Sequence, residues 1–265
     1  MLNSILRPFV SYLPQNNRFQ RIWKLAQVDY KKRFYNSNWG VIWALFNPLA
    51  RLLIYFIVFQ YLIPQSIDNY ALYLFSGLLI WMFFTESTKR AFRVLITKKY
   101  LISSIRFNWI DLYLASTLSV FWGFLFNFLA YFLLSIVLQV DITLNYLYFP
   151  IYLFNIIILC LGFSILLATI YIYFVDIIHI WDLVLLTGFW TAPILFRGEV
   201  ISEKFGYLDY IHPFTGIINN VRNSILFDTA PNWFFFFYNL LYGFVVLILA
   251  VFLFKKFSKS FLERI

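Results

Sequence analysis

The chain has 265 residues, of which 62% are hydrophobic, 23% aromatic and 12% charged, with a net charge of +9. Soluble domains carry about 25% charged residues; half that share, with the apolar residues in long blocks, excludes a soluble globular domain. The absence of alternating segments of about ten residues excludes a transmembrane β-barrel, which leaves an all-α integral membrane protein whose helices satisfy their own backbone in lipid.

The first forty residues hold seven Lys/Arg and no uncharged hydrophobic region ending in a small-residue cleavage site, which predicts no cleavable signal peptide. Within them, RFQRIWKLAQVDYKKRF (18–34) reads as an amphipathic helix. Phe19, Ile22, Trp23, Ala26, Tyr30 and Phe34 recur at steps of three and four, and Arg21, Lys24, Gln27, Lys31 and Lys32 fall on the other side. A basic helix with Trp and Phe on its apolar face suits the membrane interface.

Six spans are expected at about 41–63, 70–92, 112–138, 146–174, 181–196 and 233–254 from runs of the length a bilayer requires. Span one, 41–63, carries one full charge, Arg51. Asn47, Arg51 and Tyr55 follow each other at i+4, and Trp43 and Phe59 extend the stripe at its ends. Arg51 lies about 15 Å into a hydrocarbon layer about 30 Å thick, where a charge is costly unless something receives it. Three receivers are open to it: an internal pair with Glu86, a water-filled pathway facing glycan or phosphate, and a lipid headgroup.

After span two, the stretch from Thr85 to Asp111 holds Lys89, Arg90, Arg93, Lys98, Lys99 and Arg106. Phe92, Leu95, Ile96 and Tyr100 predict a short amphipathic helix there, either a positive-inside anchor or a docking surface for a cytoplasmic partner. Cys160, the single cysteine, sits in an apolar run, so no disulfide forms within the chain. Between spans four and five, Asp176 and His179 would share a helical face, and so would His179 and Asp182. They read as a polar turn or a partner contact more readily than as a general base.

Residues 197–230 are too polar for a span and too apolar for a flexible loop. Ile201, Phe205, Leu208, Tyr210 and Ile211 precede His212-Pro213; Phe214, Ile217, Ile218, Val221, Ile225 and Leu226 follow. Two short external helices broken at the His-Pro turn are expected, re-entrant and lining protein or a water-filled cavity. The chain then divides into a basic segment with an interface helix (1–40), spans one to five (41–196), an external hairpin (197–230), and span six with its tail (231–265), all in one transmembrane domain. With both termini inside, cytoplasmic segments carry seventeen Lys/Arg and external ones three, Arg197, Lys204 and Arg222. The positive charge is thus a topology signal and does not call for nucleic acid. No phosphate-binding glycine loop and no metal-ligand set stands in the sequence, so no catalytic residues, metal or cofactor are assigned.

This order of parts resembles the polysaccharide-export permeases of the ABC-2 class, the membrane subunits of O-antigen, capsule and teichoic-acid exporters. The resemblance rests on Tyr30-Lys31-Lys32-Arg33-Phe34, Trp39-Gly40, Trp43 with Asn47-Pro48-Leu49, Ala192-Pro193-Ile194, Glu203, and Pro213 followed by Arg222. It departs from the family's habit at Val175-Asp176 and His212-Pro213, and Arg51 matches no family pattern. The resemblance implies a homodimer in the bacterial inner membrane, working with two copies of a separate ATPase that carries the ATP and Mg. A lipid-linked polysaccharide would pass along Trp43, Asn47, Arg51, Tyr55 and Phe59, with Glu203, His212, Pro213 and Arg222 as an external gate. Lys31, Lys32, Arg33, Lys98, Lys99, Asp176 and His179 would couple to the ATPase. The competing classes are an ABC permease for a drug or lipid, and a membrane acyl- or glycosyltransferase acting on lipid-linked sugars.

Overall fold

Long apolar runs set the architecture. A computed structural model describes residues 17–34, 40–62, 67–99, 108–198 and 206–257, and among them there are helices and no strands. Trp39 and Glu203 lie outside the described residues. Helix α1 is Arg18–Phe34, α2 is Gly40–Ile57 continued by a π-helical turn Val58–Leu62, α3 is Tyr70–Thr97 and α4 is Trp109–Val137. A 3-10 turn, Leu144–Tyr148, leads into α5, Phe149–Tyr173, followed by α6, Ile177–Thr191. Two short helices, α7 (Leu208–Ile211) and α8 (Pro213–Ile225), precede α9, Trp233–Phe257.

Five stretches are long and apolar enough to cross a membrane: Ile42–Tyr61, Tyr70–Thr97, Trp109–Val137, Leu144–Tyr173 and Trp233–Phe257. Helix α6 is also apolar but has 15 residues, short of the about 20 that a span takes. The expected fifth span, 181–196, therefore begins earlier and loses its helix after Thr191.

Local chemistry starts and stops these helices. The Asn17 side chain accepts from the Phe19 and Gln20 amides at 3.1 and 3.3 Å, capping α1. Asn108 does the same for α4 through the Ile110 amide at 3.1 Å. Asn69, with φ 51°, turns the chain into α3 in a left-handed conformation that Asn tolerates. His212 is extended and Pro213 opens α8, as the X-Pro rule requires.

The α5–α9 contact is close because of Gly162, where a Cβ would fall 3.0 Å from the Leu247 amide nitrogen. Small residues at such crossings are how membrane helices gain packing without a hydrophobic drive. At the basic end of the bundle, Leu25 and Ala26 of α1 join a core with Ala91, Val94 and Leu95 of α3 and Leu112 and Ala115 of α4. Two expectations change here. The buried face of α1 centres on Leu25 and Ala26, with Ile22 and Tyr30 half-buried, while Phe19 is 71% exposed. Up to Thr97 the basic stretch after residue 85 belongs to α3, kept helical by this core; Tyr100 and Arg106 lie outside the described residues.

Past α6, the backbone from Ala192 to Phe196 is irregular and Ala192, Ile194 and Leu195 are buried. Non-helical carbonyls in apolar surroundings need partners, and side chains provide them. Tyr70 and Tyr73 donate their hydroxyls to the Leu195 and Phe196 carbonyls at 2.9 and 2.8 Å. Arg222, from α8, donates to the carbonyls of Pro193 and Ile194 (3.1 Å for the latter) and to that of Tyr73 at 2.9 Å. Its Nε also reaches Ser76 Oγ at 3.4 Å, and the guanidinium lies 3.4 Å from the centre of the Tyr73 ring. Gly77 makes room, since a Cβ there would stand 2.7 Å from Arg222 Nη2. Arg222, expected from the sequence as part of an external gate hairpin, is 1% exposed and bonds α8 to α3 and to the end of α6.

Removing the clamp strands several carbonyls at once. Arg222→Ala is expected to lower stability by about 3 kcal/mol or more, read as thermal unfolding of the purified protein in detergent. Arg222→Lys, which lacks the fork geometry, should recover less than half of that loss.

Candidate functional site

A cavity of about 1060 Å³ opens at the basic end between α1, α2, α3 and α6. Helix α3 lines it from Leu78 to Lys98, about 30 Å at 1.5 Å per residue. Seven cationic side chains face it: Lys32, Arg33, Arg51, Lys89, Arg90, Arg93 and Lys98. Three carboxylates oppose them, Asp29, Glu86 and Asp182, and each is already engaged.

Glu86 is shared, receiving Arg33 of α1 at 2.8 Å and Arg90 of its own helix at 2.9 Å. Lys89 pairs with Asp182 of α6 at 2.6 Å. Lys98 pairs with Asp29 of α1, and both are largely buried. Burial pushes the Lys98 ammonium below the ordinary lysine value, while the Asp29 carboxylate pulls it back up. A fourth pair, Arg18 with Asp111 at 2.6 Å, pins the start of α1 to α4.

Among the described residues these pairs leave Lys32, Arg51 and Arg93 without a carboxylate. Glu86 receives Arg33 and Arg90, and the internal Arg51–Glu86 pair weighed from the sequence is not among the ion pairs of the described residues. Arg51 instead stands exposed on the cavity wall, with Tyr55 one turn farther along α2. The Tyr55 ring lies 5.5 Å from that of Phe189 in α6, and Phe189 lies 6.3 Å from Trp81 of α3. A charged mouth thus leads to an aromatic inner wall.

The predicted pathway stripe is divided by the structure. Trp43, Asn47 and Arg51 line a smaller adjoining cavity of about 210 Å³, and Arg51 and Tyr55 line the large one. Phe59 joins neither; it is 4% exposed and packs edge-on against Phe196 at 5.4 Å. Of the predicted coupling residues, Lys32 and Arg33 face the large cavity, while Lys31, Lys99, Asp176 and His179 are exposed. Lys98 is not a free surface charge, since it is buried against Asp29. Asp182 turns to Lys89, so Asp176, His179 and Asp182 do not converge as a general-base set. No group of residues able to hold a metal ion occurs among the described residues.

His212 also stacks on the Trp81 indole at 6.0 Å, and its Nε2 meets the Gly188 carbonyl at 3.1 Å. Burial pushes its pKa down to about 4. His212 and Pro213 therefore fix the turn into α8 within the bundle.

The model of the family described as ABC-2 type transporter matches residues 20–226. The chain belongs to the ABC-2 type transporter family. The match takes in α1, the whole cavity and the Arg222 clamp. Family membership makes the chain a multi-pass membrane permease that pairs with an ABC ATPase subunit. The permease is 25% identical over 240 residues to the O-antigen export system permease protein RfbA of Klebsiella pneumoniae, covering 90% of this chain and 92% of that one. A second Klebsiella pneumoniae protein of the same name is 24% identical over 242 residues, again 90% and 92% of the two chains. The RfbA of Myxococcus xanthus is 27% identical over 188 residues, 68% of this chain and 69% of its own.

Two measurements check the electrostatics of this permease. Lys98→Ala should cost about 3 kcal/mol by stranding Asp29, and the loss in the Lys98→Ala/Asp29→Ala double variant should fall well short of the two single losses combined. His212 holds a proton less readily folded than unfolded, so stability is full at neutral pH and declines as pH falls from about 6.5 toward about 4. The unfolding midpoint should therefore drop more between pH 7.5 and 5 in the wild type than in His212→Gln.

Proposed function

We propose that this chain is the membrane subunit of an ABC exporter that moves a lipid-linked polysaccharide of O-antigen type from the cytoplasmic to the outer side of the bacterial inner membrane. The observation that carries the reading is the pair of O-antigen export permeases aligned along 90% of the chain, inside a family match that spans the cavity. In this reading two copies of the permease form a homodimer and two copies of a separate ATPase supply the ATP hydrolysis.

Six crossings place both termini in the cytoplasm. Support for the sixth comes from the course of α6. It begins beside the basic end, where Asp182 meets Lys89, and its continuation reaches Tyr70 and Tyr73 at the other end of α3. The short α7 and α8 then form the external hairpin, with α8 turned into the bundle. The polymer path runs along Trp43, Asn47, Arg51 and Tyr55 of α2. Coupling to the ATPase falls to the exposed basic-end groups Lys31, Lys99, Asp176 and His179.

Reconstitution of the permease with its ATPase in vesicles tests this. ATP-dependent appearance of a defined lipid-linked polysaccharide on the opposite leaflet is the expected result, abolished when the ATPase is inactivated. An assembled complex that hydrolyses ATP and leaves the polymer on its original side would overturn the proposal.

A further inference from the structure

The seam where α5 and α9 meet the hairpin helix α8 is polar, although two of its sides are the apolar stretches Leu144–Tyr173 and Trp233–Phe257. Protein groups satisfy part of it. Tyr152 and Ser224 share a hydrogen bond at 2.8 Å, and Asn220 of α8 donates to the Asn232 carbonyl at 3.2 Å and accepts from the Asn232 amide at 2.7 Å. Asn155 Nδ2 donates to the Phe236 carbonyl at 3.2 Å. Three buried polar atoms are met by no protein group: Asn155 Oδ1, and both Oδ1 and Nδ2 of Asn239. The two residues are 2% and 1% exposed. We propose that the seam holds a resident water bridging the Asn155 oxygen to the Asn239 amide, a buried hydration site inside the bundle at the root of the hairpin.

The packing brings the two amides to one place. Helices α5 and α9 run side by side in the same direction, since Asn155 meets Phe236 and, farther along both, Gly162 abuts Leu247. Asn155 is six residues beyond Phe149 and Asn239 six beyond Trp233, about 9 Å along each axis. Gly243, one turn past Asn239, lies against Ile158 and Leu159, so Asn239 is on the face of α9 that α5 covers. Gly216 closes the α8 side: a Cβ there would collide with Asn239 Nδ2, and its absence lets the amide lie over α8. An unanswered amide in such surroundings is costly. The bond from its Nδ2 turns the Asn155 side chain toward Phe236, and its oxygen makes no direct bond to Asn239. Water suits what is left, because a carboxamide oxygen only accepts. One proton goes to Asn155 Oδ1, and the water then accepts from Asn239 Nδ2 or donates its other proton to Asn239 Oδ1.

The site depends on the membrane-spanning fold and not on what the permease exports, so its test needs neither ATPase nor polymer. A cryo-EM structure of the full-length permease in lipid nanodiscs, at a resolution that shows ordered water, is read beside an unfolding series in detergent. Density for a water is expected within about 2.7–3.2 Å of both Asn155 Oδ1 and the Asn239 amide. A dry seam, or the two amides bonded directly to each other, would overturn the proposal. In the series, Asn239→Ser keeps a polar group and leaves room for a further water, whereas Asn239→Ala, of similar size, strands the first. The Ser variant should lose less than about half as much of the midpoint as the Ala variant. Asn155→Leu/Asn239→Leu removes both polar partners and fills the space, and should unfold nearer the wild type than either Leu variant alone. A Ser variant that falls as far as the Ala variant, or Leu losses that simply add, would overturn it as well.

Discussion

Four consecutive carbonyls, Pro193 to Phe196, leave helical geometry in surroundings that hold little water, and the arrangement of the bundle follows from how they are satisfied. Arg222 takes the first two and Tyr70 and Tyr73 the last two. That requirement draws α8 inward against α3, demands a glycine at position 77, and fixes where α6 must end. Arg222 tolerates burial without a carboxylate because its donors are spread over several carbonyls and the Tyr73 ring, so no single acceptor carries the charge. The clamp is a joint: it holds three elements at one point.

The basic end is organised by a different rule. There ion pairs join the apolar contact of Leu25 and Ala26, and they tie α1 to the bundle at three places through Asp111, Glu86 and Lys98. Between the two ends lies a cavity whose mouth is charged and whose inner wall is aromatic. One end is thus held by a buried hydrogen-bonded joint and the other by partly exposed ion pairs.

Much of the fold was legible in the residues because apolar runs are strong signals. The starts of α3, α5 and α9 and the break at His212-Pro213 were readable within a few residues. The end of α3 was not, since its continuation to Thr97 depends on Leu25 and Ala26 packing against Ala91, Val94 and Leu95, a contact between distant segments. Arg222 and Ala192-Pro193-Ile194 both stood out in the sequence, yet nothing local indicated that one caps the other. The same holds for Glu86: its i+4 partner Arg90 was visible, whereas its second partner, Arg33, comes from 53 residues upstream. Arg51 was correctly isolated as an unusual charge, but its companion groups on the cavity wall, Lys89 with Asp182 and Lys98 with Asp29, emerge only when α1, α3 and α6 meet.

The three ties of α1 also impose an order on synthesis. Each joins a residue of the first helix to one made much later, separated by 53, 69 and 93 positions. When α1 leaves the ribosome none of these partners exists, and its apolar face has nothing yet in the bundle to pack against. It can seat only after α3 and the first turn of α4 have been translated. An interface-seeking helix at the start of the chain is therefore also a holding device, keeping a basic segment from inserting or misfolding until the groups that receive it have arrived.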